Sequence, residues 1–356
     1  MRHEERQARL RQANKAAIQA QKMRHFKIRI FIVFLLFAFL LFGANRLIAV
    51  TYGMRSAPAA VIMPQQEQLV YDDDFIYDYI PEEEEVDSLE TETEQEPQRA
   101  VYRPAPSACA IDALDELLLR HGNYISVFFE NLETGFIYRF NACRVYFSAS
   151  VPKAAYALYI YMLAEKGIVN LDSVHEFMYA DANWGSGIIQ RRYEFGATFT
   201  LRELLRLNLS ESDNVATNIL RRIHGLEGYK RLIEEMGGNS GLVGSRITNS
   251  DLTANEAGLF AREIFAYLES GGRYSCEFKT HLLNNQFPFI VSDYPVASKT
   301  GWTSPRAWHD MAIVYAPSPF TLVILSAREG WSDADYADFA EISMAFQQFN
   351  DEWFVG

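Results

Sequence analysis

Three short strings occur in order along this chain: Ser150-Val151-Pro152-Lys153, Ser212-Asp213-Asn214 and Lys299-Thr300-Gly301. A fold that uses them together must gather segments far apart in sequence into one crevice. Together they supply a serine nucleophile, amine and hydroxyl groups to move its proton, and a cationic wall for an anionic substrate. Singly they say little: a serine three residues before a lysine arises by chance, and each triplet suits a turn or a helix cap. Context adds the rest. Ser150 lies where the strand-like run Arg144-Val145-Tyr146-Phe147 gives way to an apolar helical stretch, Ala154 to Ala164. Pro152 suits the first turn of a helix, where its missing N–H costs nothing. Ser150 and Lys153 then stand at i and i+3 on one helix face. The chemistry this equipment serves is acyl transfer.

In this order the strings resemble the S-x-x-K, S-D-N and K-T-G signature of the penicillin-recognising active-site serine enzymes, specifically the class A β-lactamase-like branch. The resemblance covers about residues 107–356. Tyr124 to Phe129, a Thr134-Gly135 turn, and Phe136 to Phe140 are similar to the family's opening hairpin. Gly185-Ser186-Gly187-Ile188-Ile189-Gln190 is similar to a segment the family carries before its second motif. Thr198 to Leu205 matches a helix start, and Thr200 with Glu203 is a capping box in its own right. His309 to Tyr315 reads as the strand paired after Lys-Thr-Gly. The expected fold is α+β. An antiparallel five-stranded sheet combines a hairpin at 123–141 with strands near 294–302, 308–316 and 320–327. Helices near 108–121 and 333–350 cover one face, and an inserted all-helical lobe, about 150–270, covers the other.

The resemblance also implies roles. Ser150 is the nucleophile, and Lys153 its base if burial keeps the amine neutral. Ser212 relays the proton to the leaving group. Asn214 meets the substrate and Lys153, while Asp213 holds the loop and caps the helix starting near Val215. Lys299 and Thr300 bind a substrate carboxylate, and Gly301 allows close backbone approach. The N–H groups of Ser150 and Trp302 form the oxyanion hole. Trp184 is either a cleft wall or a core side chain; Arg306 is either a second cation for the carboxylate or a surface residue. The seven histidines show no metal-binding spacing, and neither metal nor cofactor is expected.

One departure divides the functional possibilities. Class A β-lactamases carry a loop glutamate that activates water to release the acyl-enzyme. The corresponding stretch here, Gly237 to Asn255, contains none. Glu234 and Glu235 precede it, Glu256 follows it, and Asp251 reads as an N-cap. A slowly deacylating hydrolase or acyl transferase acting on β-lactams or D-alanyl-D-alanine stem peptides of the cell wall is therefore expected. A true β-lactamase is the alternative, and a non-hydrolytic receptor for β-lactams or muropeptides is the alternative of another class.

The N-terminal surplus reads as a tether. Residues 1–29 hold nine Lys or Arg against Glu4 and Glu5, a basic cytoplasmic tail. Ile30 to Ala44 is apolar, and Leu47 to Val50 extends it to a transmembrane signal anchor over 30–50 if Arg46 snorkels. The basic head is as long as a complete cleavable signal, about 15–30 residues, which favours the uncleaved reading. Basic flanks orient the remainder outward. Residues 51–106 include fourteen acidic residues between Glu67 and Glu96, with six prolines from Pro58 to Pro106. That is the composition of a disordered acidic linker. The net charge of −13 and the absence of a basic stripe in the outer portion argue against nucleic acid. Cys109, Cys143 and Cys276 are too few for a disulfide scaffold. The family fold would allow a Cys109–Cys143 bridge; three buried or idle thiols are the default.

Overall fold

The computed structural model describes residues 105–122, 124–304, 307–328 and 333–355. The basic tail, the proposed anchor, nearly all of the acidic linker and Arg306 lie outside the described residues. Among the described residues no helix is long and apolar enough to cross a membrane.

The chain opens with α1 (Ala108–Arg120), the hairpin β1 (Ile125–Asn131) and β2 (Ile137–Phe140), and the short β3 (Tyr146–Phe147). The helical lobe follows. It begins with α2 (Lys153–Glu165), then β4 (Val174–Glu176), α3 (Ile189–Arg192) and β5 (Thr198–Thr200). It continues through α4 (Leu201–Ser210), α5 (Asn214–His224) and α6 (Glu227–Glu235). After β6 (Asp251–Leu252) come α7 (Ala254–Glu269) and α8 (Ser275–Leu283). The chain closes with β7 (Val296–Thr303), β8 (Ala307–Val314), β9 (Phe320–Ser326) and α9 (Asp333–Trp353).

Five strands form an antiparallel sheet in the order β2-β1-β9-β8-β7. Strands β1, β8 and β9 are buried along their whole length, so both faces of the sheet are covered. Alternation divides their side chains between two cores. Val127, Phe129, Leu322 and Ile324 join Leu114 and Leu118 of α1 and Phe339, Ile342 and Phe346 of α9. Phe128, Val323, Leu325 and Met311 face the other way, toward α7 and α2. The expected α+β architecture is thus present, with strand and helix limits shifted by a few residues, but the inserted lobe is not all-helical: β4 and β5 pair as a small antiparallel ladder within it.

Helix α2 is apolar on every side, which is the pattern of a helix enclosed by neighbours rather than lying on a surface. Its single cation, Lys153, is fully buried. The capping box starts α4: Thr200 N–H donates to Glu203 at 2.8 Å, and Glu203 N–H donates to Thr200 Oγ1 at 3.1 Å. All three cysteines are free, in line with idle thiols, but they are exposed rather than buried, and no Cys109–Cys143 bridge forms. Asp251 is not a cap either: it pairs with Phe147 in the β3–β6 ladder, and Thr253 caps α7.

Candidate active site

Strand β3 ends at Phe147, and a tight turn carries the chain into α2. The bonds Val151 N–H to Ser148 O and Lys153 N–H to Ser150 O form that turn. Ala149, immediately before Ser150, adopts φ of 47°, and Ser212 adopts φ of 51°. Left-handed conformations at residues with side chains are held only by their surroundings and concentrate at functional sites. Edge strand β7 presses against this turn. A Cβ at Gly301 would lie 2.8 Å from the nitrogens of both Ser150 and Val151, so only glycine fits. Among the described residues the Ser150 N–H has no protein acceptor, and it remains available to a ligand.

Ser212 sits in the turn between α4 and α5. Asp213 organises that turn, as expected. Oδ1 of its carboxylate accepts from Val215 and Ala216 N–H at 2.8 and 3.0 Å, capping α5; Oδ2 accepts from Ile188 and Ile189 N–H. Gly187 packs so closely on Asp213 that a Cβ there would overlap its carboxyl group. The Gly-Ser-Gly segment is therefore a brace for the Ser-Asp-Asn turn.

Two buried lysines converge on Ser212. Lys153 Nζ donates to Ser212 O at 2.7 Å and to Asn214 Oδ1 at 2.8 Å, and lies 3.4 Å from Ser212 Oγ. Lys299 Nζ approaches Ser212 Oγ from the sheet at 3.0 Å and donates to Thr300 O at 2.8 Å. Burial, reinforced by the neighbouring Lys299 charge, holds the Lys153 ammonium well below the usual lysine range; Asp213 only partly offsets this. Burial likewise lowers Lys299 to about 7, with Asp310 opposing. A neutral Lys153 amine has two N–H donors and one lone pair. The Ser212 carbonyl and the Asn214 amide use the donors, which leaves the lone pair for a hydroxyl proton.

A cleft of about 530 Å³ opens over this cluster, lined by Ser150, Asn214, Trp184, Thr248, Phe287 and Trp302 among others. Trp184 is 79% exposed and forms a wall, not core. Trp302 is half exposed and stacks on Trp308 at 5.7 Å. Ser150, Lys153, Ser212, Asn214, Lys299, Gly301 and Trp302 are thus gathered as the sequence suggests. Thr300 is not. Strand alternation turns its hydroxyl away from the Lys299 side, where it is buried, donates to Phe287 O at 2.8 Å and accepts from Asn285 Nδ2 at 2.9 Å. Thr303 and Ser304 line the cleft instead.

No glutamate from the 234–256 stretch lines the cleft. Glu234 and Glu235 are exposed on α6, and Glu256 accepts from Asn239 N–H beneath the loop. Glu211 and Arg191 do line it, and no motif marks either of them. Glu211 is legible only as the residue before the Ser-Asp-Asn string. Among the described residues no cluster of His, Cys, Asp and Glu could hold a metal.

The family model described as the "Beta-lactamase enzyme family" matches residues 110–349. Among solved structures, the chain is similar to a β-lactamase from Sphaerobacter thermophilus DSM 20745. Identity is 19%, with 70% of this chain and 100% of that chain covered and a TM-score of 0.60. It is also similar to PBP-A at 16% identity, covering 70% of this chain and 100% of that one, TM-score 0.63. The L158E mutant of PBP-A, an acyl-enzyme complex with penicillin G, is likewise 16% identical. There 71% of this chain and 100% of that chain are covered, with a TM-score of 0.62. At these identities the structural likeness speaks for the fold. No curated protein matches the chain.

Proposed function

The chain belongs to the beta-lactamase enzyme family, whose members are serine hydrolases, and we propose that it forms an acyl-enzyme at Ser150 with β-lactams or D-alanyl-D-alanine peptides. The observation carrying this reading is the convergence of buried Lys153 and Lys299 on Ser212 beneath the cleft that Ser150 lines.

The mechanism follows from the donors available. Ser150 Oγ attacks the substrate carbonyl while its proton passes to the Lys153 lone pair. The oxyanion settles between the N–H groups of Ser150 and Trp302, donors each worth about 100- to 1,000-fold in rate. On collapse the C–N bond breaks, and the nitrogen takes a proton from Ser212 Oγ, resupplied by Lys153. An ester at Ser150 remains. Lys299, with Thr303 and Ser304 beside it, meets the substrate carboxylate. Release of the ester needs an activated water, and with no glutamate from the 234–256 loop in the cleft this step is slow. The N-terminal apolar run anchors the chain in the cell membrane, with residues 107–356 on the outer side.

The test uses the purified full chain with a fluorescent penicillin and, separately, a coloured cephalosporin. One label per chain that persists for many minutes is the expected result. Continuous turnover of the cephalosporin instead favours a true β-lactamase. Absence of any covalent label overturns the reading.

A further inference from the structure

The cleft wall holds a charge that acyl transfer does not use. Glu211 caps the C-terminal end of α4, directly before Ser212, and lines the same cleft as Ser150 and Asn214. Among the described residues its carboxylate has no ion-pair or hydrogen-bond partner. Its neighbour Asp213, by contrast, accepts four N–H bonds and is saturated. The other titratable or charged groups near this space are Arg191, which lines the cleft and whose guanidinium donates to Gly185 O, and Lys153 and Lys299, fully buried beneath it. Lys153 is committed to Ser212 and Asn214, and Lys299 to Ser212 and Thr300. Among the described residues none of these groups, Arg191 included, forms an ion pair or hydrogen bond with Glu211.

A carboxylate in a substrate cleft that also binds a substrate carboxylate is unfavourable unless the substrate brings a cation to it. We propose that Glu211 selects substrates bearing an ammonium or other cationic group close to the scissile bond. The natural substrate is then zwitterionic: its carboxylate faces Lys299 and its cation faces Glu211. Among peptides, that chemistry belongs to a chain with a free amine, such as one containing an unacylated diamino acid. The inference rests on the acyl-enzyme reading above and deepens it by fixing the substrate's charge pattern.

Two matched pairs of β-lactams test it on the full chain. Ampicillin differs from benzylpenicillin by an ammonium on the acyl side. Cephaloridine differs from cephalothin by a cationic pyridinium on the leaving side. Second-order acylation constants are measured for wild type and for Glu211→Gln. In at least one pair the cationic member is expected to react faster with wild type. That advantage falls about fivefold in Glu211→Gln, the size of a partly screened charge contact. The neutral partner keeps its rate, which separates charge recognition from general damage to the site. Raising salt should erode the same advantage in wild type only.

The proposal is overturned if neither pair shows a charge preference, or if Glu211→Gln slows both members equally. Failure of all four compounds to label wild type overturns the acyl-enzyme reading itself.

Discussion

Replacing Gly301 by alanine probes the contact between the sheet and the nucleophile turn. The added methyl would lie 2.8 Å from the Ser150 and Val151 nitrogens and 3.0 Å from Ser148 O, where ordinary contact begins at 3.4 Å. All three neighbours are backbone atoms, so no side chain can rotate aside. Strand β7 and the turn must separate by about half an ångström to restore contact distance. Overpacking of this kind costs about 1–3 kcal/mol. The catalytic cost is larger, because the same separation opens the gap between the Ser150 and Trp302 N–H groups. Misplacement approaching 1 Å costs on the order of 100-fold in rate. Stopped-flow acylation by a fluorescent penicillin should slow by about 10- to 100-fold, with the melting temperature lowered by only several degrees. Gly301→Ala protein that acylates at the wild-type rate would refute the packing argument and the oxyanion hole built on it.

Other outcomes follow from individual groups. Lys299 loses its proton as pH rises through about 7. Acylation by carboxylate-bearing β-lactams should therefore decline above that pH, while a neutral ester substrate shows no such fall; parallel profiles would contradict the role. Burial lowers His309 to about 4. It is held neutral by accepting from Ser326 N–H at 3.2 Å and by its bond to Phe147 O at 2.9 Å. Because its folded pKa lies below the unfolded value, its contribution is complete above about pH 6.5 and is lost as pH falls toward 4. The loss is on the order of 3 kcal/mol. His309→Asn should flatten the acid limb of a stability–pH curve, and an unchanged slope would oppose this. Thr248 lines the cleft from the loop that lacks a glutamate. Thr248→Glu should speed deacylation by about 100-fold, the usual scale of general-base catalysis. A label that persists equally long in that variant would contradict the account of slow release.

Much of this was legible in the sequence because local chemistry determined it. Pro152, the capping pair Thr200 and Glu203, and the all-apolar run after Lys153 each specify their own backbone. The near-continuous apolar run of β9, Phe320 to Leu325, specifies a strand buried on both faces. What stayed hidden depended on tertiary contacts. The parity of β7 decides that Lys299 faces Ser212 while Thr300 turns to Asn285 and Phe287, and parity follows from register against β8 rather than from the triplet. The left-handed backbone at Ala149 and Ser212 has no glycine to announce it. Glu211, Thr248 and Phe287 enter the cleft through loop packing, and none belongs to a periodic or spaced pattern. Cys109 and Cys143 lie exposed and unpaired, although the family fold would have allowed a bridge.

Exchanging Lys153 for arginine tests the central claim most directly, since a guanidinium keeps the positive charge and cannot surrender its proton. Quenched-flow mass spectrometry of the full chain, with the adduct mapped by peptide, gives the rate of Ser150 ester formation in wild type, Lys153→Arg and Lys299→Arg. An uncharged amine acting as base predicts loss of about 100- to 10,000-fold in Lys153→Arg, a much smaller effect in Lys299→Arg, and folded protein in both by circular dichroism. Lys153→Arg protein that esterifies Ser150 as fast as wild type, or a wild-type adduct on any other residue, would contradict it.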